Sequence, residues 1–239
     1  MVTADLIVED IKSFGDAEYA AHHYGFFQCF EGGYGDGEDR FCGIRAPDLR
    51  RLVKKYWRDI SWENLGELIS HRLHEVRLFA ACVMAEMYGH GDTAARRKVV
   101  DFYLKHTRRL NNWDLVDISC YKILGRWCFE RGDYKILFKL ADSKNLWEQR
   151  IAMVATWWPV HNGDFGPTLA MAAKALHHRH DLMHKAAGWM LREAGKQGEV
   201  GHRTLIGFLD ENSGIMPRTM LRYAIERLGP ELRKRYMGK

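Results

Sequence analysis

The 239-residue sequence has little of several features that mark other classes of protein. Its five cysteines are an odd number and form no CxxC pair, which argues against a disulfide framework or a zinc site and fits a reducing cytoplasm. No run of about 18 apolar residues occurs, so we expect no segment to span a membrane. The first residues carry acids early and lack a basic segment with a cleavage site, which argues against a secretory signal.

Proline is also scarce, and its positions suit helix starts. Of the five prolines, Pro47 and Pro230 stand where a first helical turn tolerates the ring. Asn145 followed by Glu148 resembles a capping box. Apolar residues recur at three and four positions, as in residues 74–88, whereas strand-like alternation is rare. The sequence therefore predicts an all-α protein.

Weak self-similarity appears at a period typical of solenoids. Five helical segments align by their apolar pattern and place these residues in register: Arg77, Val116, Arg150, Lys185 and Thr219. The intervals are 39, 34, 35 and 34 residues, the length of one helix-turn-helix repeat. Such repeats stack into a curved array, and no Ser/Pro-rich linker divides the chain. We therefore expect one domain over 1–239, a curved superhelical solenoid of HEAT-like helix pairs.

The repeat register also predicts a common face. Because a helix advances about 100° per residue, residues of different repeats can be compared by their rotation about the helix axis. With Arg150 as the reference, Trp113, Asp117, Trp147 and Trp189 fall within one sector about 100° wide. Apolar core faces rarely take an acid and an arginine together. This pattern indicates a functional surface with tryptophans, a carboxylate and an arginine.

Four segments carry a family resemblance. They are FCGIRAPDLRRLVKKYW (41–57), NNWDLVD (111–117), NLWEQR (145–150) and GWMLREAGK (188–196). In order and spacing they resemble the AlkD-like DNA glycosylases, which are built from HEAT-like repeats, and the resemblance runs over roughly 20–230. It implies hydrolysis of the N-glycosidic bond of N-alkylated purines, such as 3-methyladenine and 7-methylguanine, in duplex DNA. It also implies that neither a metal nor an organic cofactor is needed.

The resemblance implies roles for individual residues. Asp117 falls at the catalytic carboxylate of the family, and Trp113 and Trp189 fall at the tryptophans that flank the sugar of the lesion. Arg150 falls at the arginine that holds a backbone phosphate.

Further DNA contacts are expected from basic and aromatic residues on or near that face: Arg45, Trp147, Lys185 and Arg218. The chain departs from the family at Phe26-Phe27-Gln28, where a lysine often follows the aromatic residue, and in the variable loop 34–39.

Two other functions remain open from the sequence. One is a non-catalytic HEAT-repeat protein that binds bent or branched DNA, and the other is a repeat scaffold for protein partners. The net charge of +5 is compatible with nucleic acid. The histidine-rich stretch 177–184 has no accompanying cysteine or acidic cluster, so no metal site is expected there. We expect a cytoplasmic monomer that associates with the nucleoid when it is on DNA.

Overall fold

The computed structural model describes residues 2–34 and 39–238. Across those residues the chain is helical and has no β-strand, which confirms the all-α prediction. A single isolated parallel bridge joins Arg40 to Leu73. None of the described helices combines the length and the apolar character needed to cross a bilayer. Most of the 34–39 loop (35–38) lies outside the described residues.

The chain divides into two compact units, Met1–Ser119 and Cys120–Lys239. The helices that begin in the first unit are α1 (Ala4–Ser13), α2 (Ala17–Phe26), α3 (Ala46–Tyr56), α4 (Trp62–Ile69), α5 (His74–His90), α6 (Thr93–Lys105), a 3₁₀ turn (Thr107–Arg109) and α7 (Trp113–Cys120). Those of the second are a π-helical turn (Tyr121–Gly125), α8 (Arg126–Arg131), α9 (Lys135–Ala141), α10 (Leu146–Ala155), α11 (Trp157–His161), α12 (Gly166–Ala175), α13 (Asp181–Gly195), α14 (Gly198–Asn212), α15 (Arg218–Ile225) and α16 (Pro230–Met237). Some helices pack on their neighbours in sequence, as α4 does on α5 and α9 on α10, and others on the next helix but one, as α13 does on α15. The single domain and its superhelical curvature stay predictions.

The helix starts follow the local sequence. Pro47 and Pro230 lie in the first turns of α3 and α16, where a missing N–H costs nothing. Asn145 caps α10 by accepting bonds from two backbone N–H groups of the first turn. In a capping box the Glu148 side chain would bond the Asn145 N–H directly. Here the Ser143 hydroxyl lies between them: it contacts Glu148 and accepts a bond from the Asn145 N–H at 3.0 Å.

A close approach between α13 and α15 depends on Gly188. A Cβ added there would overlap the carbonyl oxygen of Met220 and the side chain of Tyr223. Gly188 is buried and lies directly before Trp189, so this packing also positions the tryptophan on α13.

The close approach predicts opposite effects for two Gly→Ala substitutions. Gly188→Ala should lower the free energy of unfolding by about 1–3 kcal/mol, because overpacking forces the helices apart. Gly207→Ala on the exposed face of α14, where an added Cβ meets nothing within 4 Å, should raise it by about 0.5–1 kcal/mol. Urea unfolding of both variants measures the difference, and equal effects would rule out the close approach.

Candidate functional site

The first group of candidate residues lies on α7, which begins at Trp113. Trp113 and Asp117 are one turn apart, and both are half-buried. Residues four positions apart lie on the same helical face. The indole and the carboxylate therefore belong to one face of α7, as their spacing predicts.

The start of α7 is anchored by Asn112, which is fully buried. Its Oδ1 accepts a bond from the Trp113 N–H at 2.8 Å, and its Nδ2 donates to the Phe27 carbonyl at 3.0 Å. A buried amide is costly unless its polar atoms are paired. Asn112 thus ties the first turn of α7 to the residue that follows α2.

Two phenylalanines support the ring of Trp113. Its centroid lies 5.7 Å from that of Phe26, edge to face, and 5.1 Å from that of Phe27. These spacings are typical of favourable aromatic pairs. Phe26 remains 55% exposed, so it forms an open apolar surface next to Trp113. Phe26 and Phe27 therefore support the ring of Trp113, although their sequence departs from the family pattern.

Below this aromatic cluster, His74 lies between two carboxylates. His74 is the first residue of α5 and is 1% exposed. Its Nδ1 lies 3.1 Å from Asp39 Oδ2, and its Nε2 lies 2.8 Å from Asp114 Oδ2. Burial alone would lower the pKa of His74, but the charge of Asp114 and hydrogen bonds to both acids outweigh it and raise the pKa to about 9. The imidazolium can then donate to both acids at once.

Arg77 completes this buried ion network, which we define as Asp39, His74, Arg77 and Asp114. Arg77 Nη2 donates to Asp39 Oδ1 at 2.6 Å and to Asn111 Oδ1 at 2.9 Å. Burial opposes the charge of Asp39, but the hydrogen bond from His74 and the charge of Arg77 prevail and lower its pKa to about 2. Because Asp114 lies in the first turn of α7, the network holds that helix against α5 and the segment before α3.

Cys29 lies beside the network and raises the question of a metal. One ligand atom from each of Cys29, Asp39 and His74 lies within 4.8 Å of the others. Both ring nitrogens of His74 are already hydrogen-bonded to carboxylates, and burial raises the pKa of the Cys29 thiol to about 12. Metal ligation requires a thiolate and a neutral imidazole. The donor set therefore fits a hydrogen-bonded ion network better than a metal centre.

The network predicts a pH dependence of stability. The charged groups that act most strongly on His74 are Asp114, Asp39 and Arg77, and the titratable Cys29 and His23 also lie close to it. Because the pKa of His74 is raised to about 9, its contribution is complete below about pH 6.5 and is lost as the pH rises through 9. Because the pKa of Asp39 is lowered to about 2, its contribution is complete above about pH 3.9 and is lost as the pH falls through 2.

We therefore expect the free energy of unfolding to fall between pH 6.5 and 9.5 in the wild type, and to fall less in His74→Gln. Chemical denaturation of both proteins across this range is the measurement. Parallel pH profiles for the two would show that His74 is not protonated in the folded protein.

Arg45 is positioned by a short loop before α3. Both carboxylate oxygens of the buried Glu75 accept backbone N–H bonds from this loop, one of them from Gly43 at 2.8 Å. Gly43 has a φ of 83°, and an added Cβ would overlap the Asp16 carbonyl, so only glycine suits this turn. The exposed guanidinium of Arg45 stacks 4.6 Å over the Tyr19 ring. Arg45 is thus presented at the surface at the start of α3, and its DNA contact stays a prediction.

In the second unit, α10 carries two of the candidate residues. Trp147 and Arg150 are only 7% and 5% exposed. Arg150 Nη1 donates to the Leu182 carbonyl at 2.7 Å, so the side chain reaches from α10 to the first turn of α13. That bond fixes the direction of the guanidinium, while its phosphate contact stays a prediction.

Trp189 on α13 is oriented through its indole nitrogen. Nε1 donates to Glu193 Oε1 at 3.2 Å, one turn further along the same helix. Glu193 is 6% exposed and also accepts from Lys196 Nζ at 2.6 Å. Because the acid is buried and paired, it holds the edge of the half-buried Trp189 ring in one direction.

The remaining candidates in this unit are surface cations. Lys185 pairs with Asp181 at 2.6 Å on the same helix, and the exposed Arg218 at the start of α15 donates to the Met237 carbonyl at 3.0 Å. In the histidine-rich stretch, ring nitrogens make local backbone bonds, as when His180 Nδ1 accepts from the Leu182 N–H at 3.1 Å and caps α13.

Around α7 the structure brings together polar residues that the sequence did not predict as part of the site. Sequence reasoning missed the residues that hold the candidate side chains in place, and these are Asp39, His74, Asn112, Asp114 and Glu193. One signal was present: Asn112 and Asp114 are polar residues inside the NNWDLVD motif. The predicted common face of Trp113, Asp117, Trp147, Arg150 and Trp189 draws on both units and stays a prediction.

Comparison with known proteins places the chain in a family. The sequence model of a family described as DNA alkylation repair enzyme matches residues 7–228. No curated protein matches the chain. A solved structure titled as a predicted DNA alkylation repair enzyme from Enterococcus faecalis has the same fold: its TM-score is 0.68 at 16% identity, over 90% of this chain and 97% of that one. The chain belongs to the DNA alkylation repair enzyme family.

Proposed function

We propose that the protein is a monofunctional DNA glycosylase that hydrolyses the N-glycosidic bond of cationic N-alkylated purines, such as 3-methyladenine and 7-methylguanine, in duplex DNA. The observation that carries the proposal is the construction of α7. Asp117 lies one turn from Trp113 on a helix that a buried ion network holds in place. Membership of a DNA alkylation repair family supports a role on damaged DNA.

The residue types suit this reaction. A purine alkylated at N3 or N7 is already cationic, so it leaves as a neutral base and needs little help from a general acid. The difficulty is the positive charge that develops on the sugar. A fixed carboxylate, here Asp117, stabilises that charge and orients the attacking water. The faces of Trp113 and Trp189 each favour a cation by roughly 0.5–2 kcal/mol.

The reaction balances without a further reactant. The bond between C1′ and the purine nitrogen breaks, and its electron pair neutralises the leaving base. The oxygen of water bonds to C1′, and the proton that water loses passes by way of Asp117 to solvent. The products are a free alkylated base and an abasic site, which places the step at the start of base excision repair.

The partner of the protein in this proposal is duplex DNA that carries an alkylated purine, bound by a monomer. Arg150 grips a backbone phosphate, since a guanidinium matches the geometry of a phosphate. The remaining contacts come from Arg45, Trp147, Lys185 and Arg218. The net charge of +5 favours association with the polyanion.

A release assay tests the proposal. Wild-type protein is incubated with a duplex that contains one 7-methylguanine, and free base and abasic sites are both measured. We expect both products in equal amounts, and none from a duplex in which uracil, an uncharged base, takes the same position. Tight binding of the 7-methylguanine duplex without base release would instead support the non-catalytic DNA-binding alternative.

A further inference from the structure

The first unit contains an arginine-lined pocket that the proposed reaction does not use. Its volume is about 50 Å³, and four arginines line it: Arg72, Arg77, Arg108 and Arg109. One water needs roughly 10–15 Å³ on the same measure, so the pocket has room for a group of several atoms. The pocket lies between the loop before α5 and the 3₁₀ turn before α7.

Among the described residues, the lining of the pocket carries an excess of positive charge. Arg72 and Arg108 are exposed, and neither forms an ion pair with any residue that the structure describes. Arg109 contacts the Ser70 carbonyl and has no ion-pair partner in the described parts of the chain. The acid in the lining is Asp39, whose carboxylate already forms ion pairs with Arg77 and His74 inside the buried ion network. Guanidinium groups that line one small pocket repel each other unless an anion lies among them.

Arg77, which lines this pocket, has one buried donor that no described residue satisfies. The Arg77 side chain is 4% exposed, and its Nε has no hydrogen-bond partner among the described residues. The two other nitrogens of the guanidinium bond Asp39, Asn111 and two loop carbonyls. An unsatisfied buried donor costs about 1–3 kcal/mol, and nearly all such groups in proteins find an acceptor. This donor therefore points to an acceptor that none of the described residues supplies.

The other lining groups also present donors. His71 Nδ1 accepts a bond from the Leu73 N–H at 3.0 Å, so in the neutral ring the proton is on Nε2. Burial lowers the pKa of His71, which keeps the ring neutral. A small anion with several acceptor oxygens matches a lining of guanidinium and imidazole donors, and phosphate is the common biological example.

We propose that this pocket binds a phosphate group. The source that the position favours is the DNA backbone, and this part of the inference rests on the proposed function. Asn111, which lines the pocket and accepts a bond from Arg77, lies two residues before Trp113. A backbone phosphate bound here would therefore be held by the residues that anchor α7. A free phosphate compound is the other source of the same chemistry.

The test uses two double variants with the same charge change. Arg108→Gln/Arg109→Gln removes two exposed arginines of the pocket. Arg97→Gln/Arg203→Gln removes two exposed arginines outside it, each paired along its own helix. In the first arm, inorganic phosphate replaces chloride at constant ionic strength, and the NMR signal of the Arg77 Nε–H is followed. We expect a saturable shift in the wild type and in the control variant. In the pocket variant, the apparent Kd for phosphate should be at least tenfold higher.

The second arm measures affinity for an undamaged duplex as a function of salt. Loss of one phosphate contact lowers the slope of log K against log salt by about 0.9. We expect that change in the pocket variant and an unchanged slope in the control. A saturable phosphate shift with an unchanged slope would support the site and assign it to a free phosphate compound. If there is neither a saturable shift nor a change of slope, the proposal is overturned and the pocket holds water.

Neither arm uses a damaged base. A pocket that fails this test therefore leaves the glycosylase proposal intact. A protein that releases no 7-methylguanine can still pass the inorganic phosphate arm and the undamaged duplex arm.

Discussion

Replacing Arg77 by methionine should lower the free energy of unfolding by about 3–5 kcal/mol, the effect typical of removing one partner from a buried ion pair. Arg77 and Asp39 are both almost fully buried, and their closest atoms are 2.6 Å apart. Methionine fills much of the same volume but leaves the Asp39 carboxylate with His74 as its remaining charged partner among the residues that the structure describes. It also leaves the side-chain oxygen of Asn111 and the carbonyl of His71 without their donors.

Denaturant unfolding at neutral pH is the measurement, with Arg97→Met as the control. Arg97 makes a comparable ion pair with Asp101, but both side chains are more than half exposed. Its replacement should change stability by less than about 0.5 kcal/mol. If Arg77→Met lowers the free energy of unfolding by less than about 1 kcal/mol, the buried network contributes no more than a surface ion pair. That result would contradict its role in holding α7.

The helices were predictable because they depend on local sequence. The period of apolar residues over 74–88 indicates the helix found at His74–His90, and Pro47 marks the start of α3. Asn145 was identified as a cap from its spacing to Glu148, although the hydroxyl of Ser143 that relays the return bond was not.

The anchoring of α7 was not predictable, because it depends on contacts between distant parts of the chain. His74 and Asp114 are 40 positions apart, and Asp39 and Arg77 are 38 apart. Apolar periodicity gives no information about which polar residues pair over such separations. Three charged or titratable residues are buried at the start of α5, and these are His74, Glu75 and Arg77. Such residues in a buried helix require partners, and together with the polar residues of the NNWDLVD motif they are the signal that pointed to the network.

Asp117→Asn should produce the largest effect on activity. Asparagine keeps the size and polarity of the side chain but removes the charge that faces the developing positive charge of the sugar. Loss of one well-placed electrostatic contact typically lowers the rate by about 10²–10³. The affinity for DNA should be kept or slightly raised, because a negative charge is removed from a surface that binds a polyanion. Asp101→Asn, an exposed acid on α6 outside the candidate site, is the matched control and should leave the rate unchanged.

The most direct test of the account is the single-turnover release of 7-methylguanine from one duplex by the wild type and by Asp117→Asn, both at saturating enzyme. The account predicts that the wild type releases the base and that the variant is slower by about 10²–10³ while it still binds the duplex. If the two rates agree within about threefold, roughly 0.6 kcal/mol, Asp117 has a structural role and the proposed mechanism is wrong.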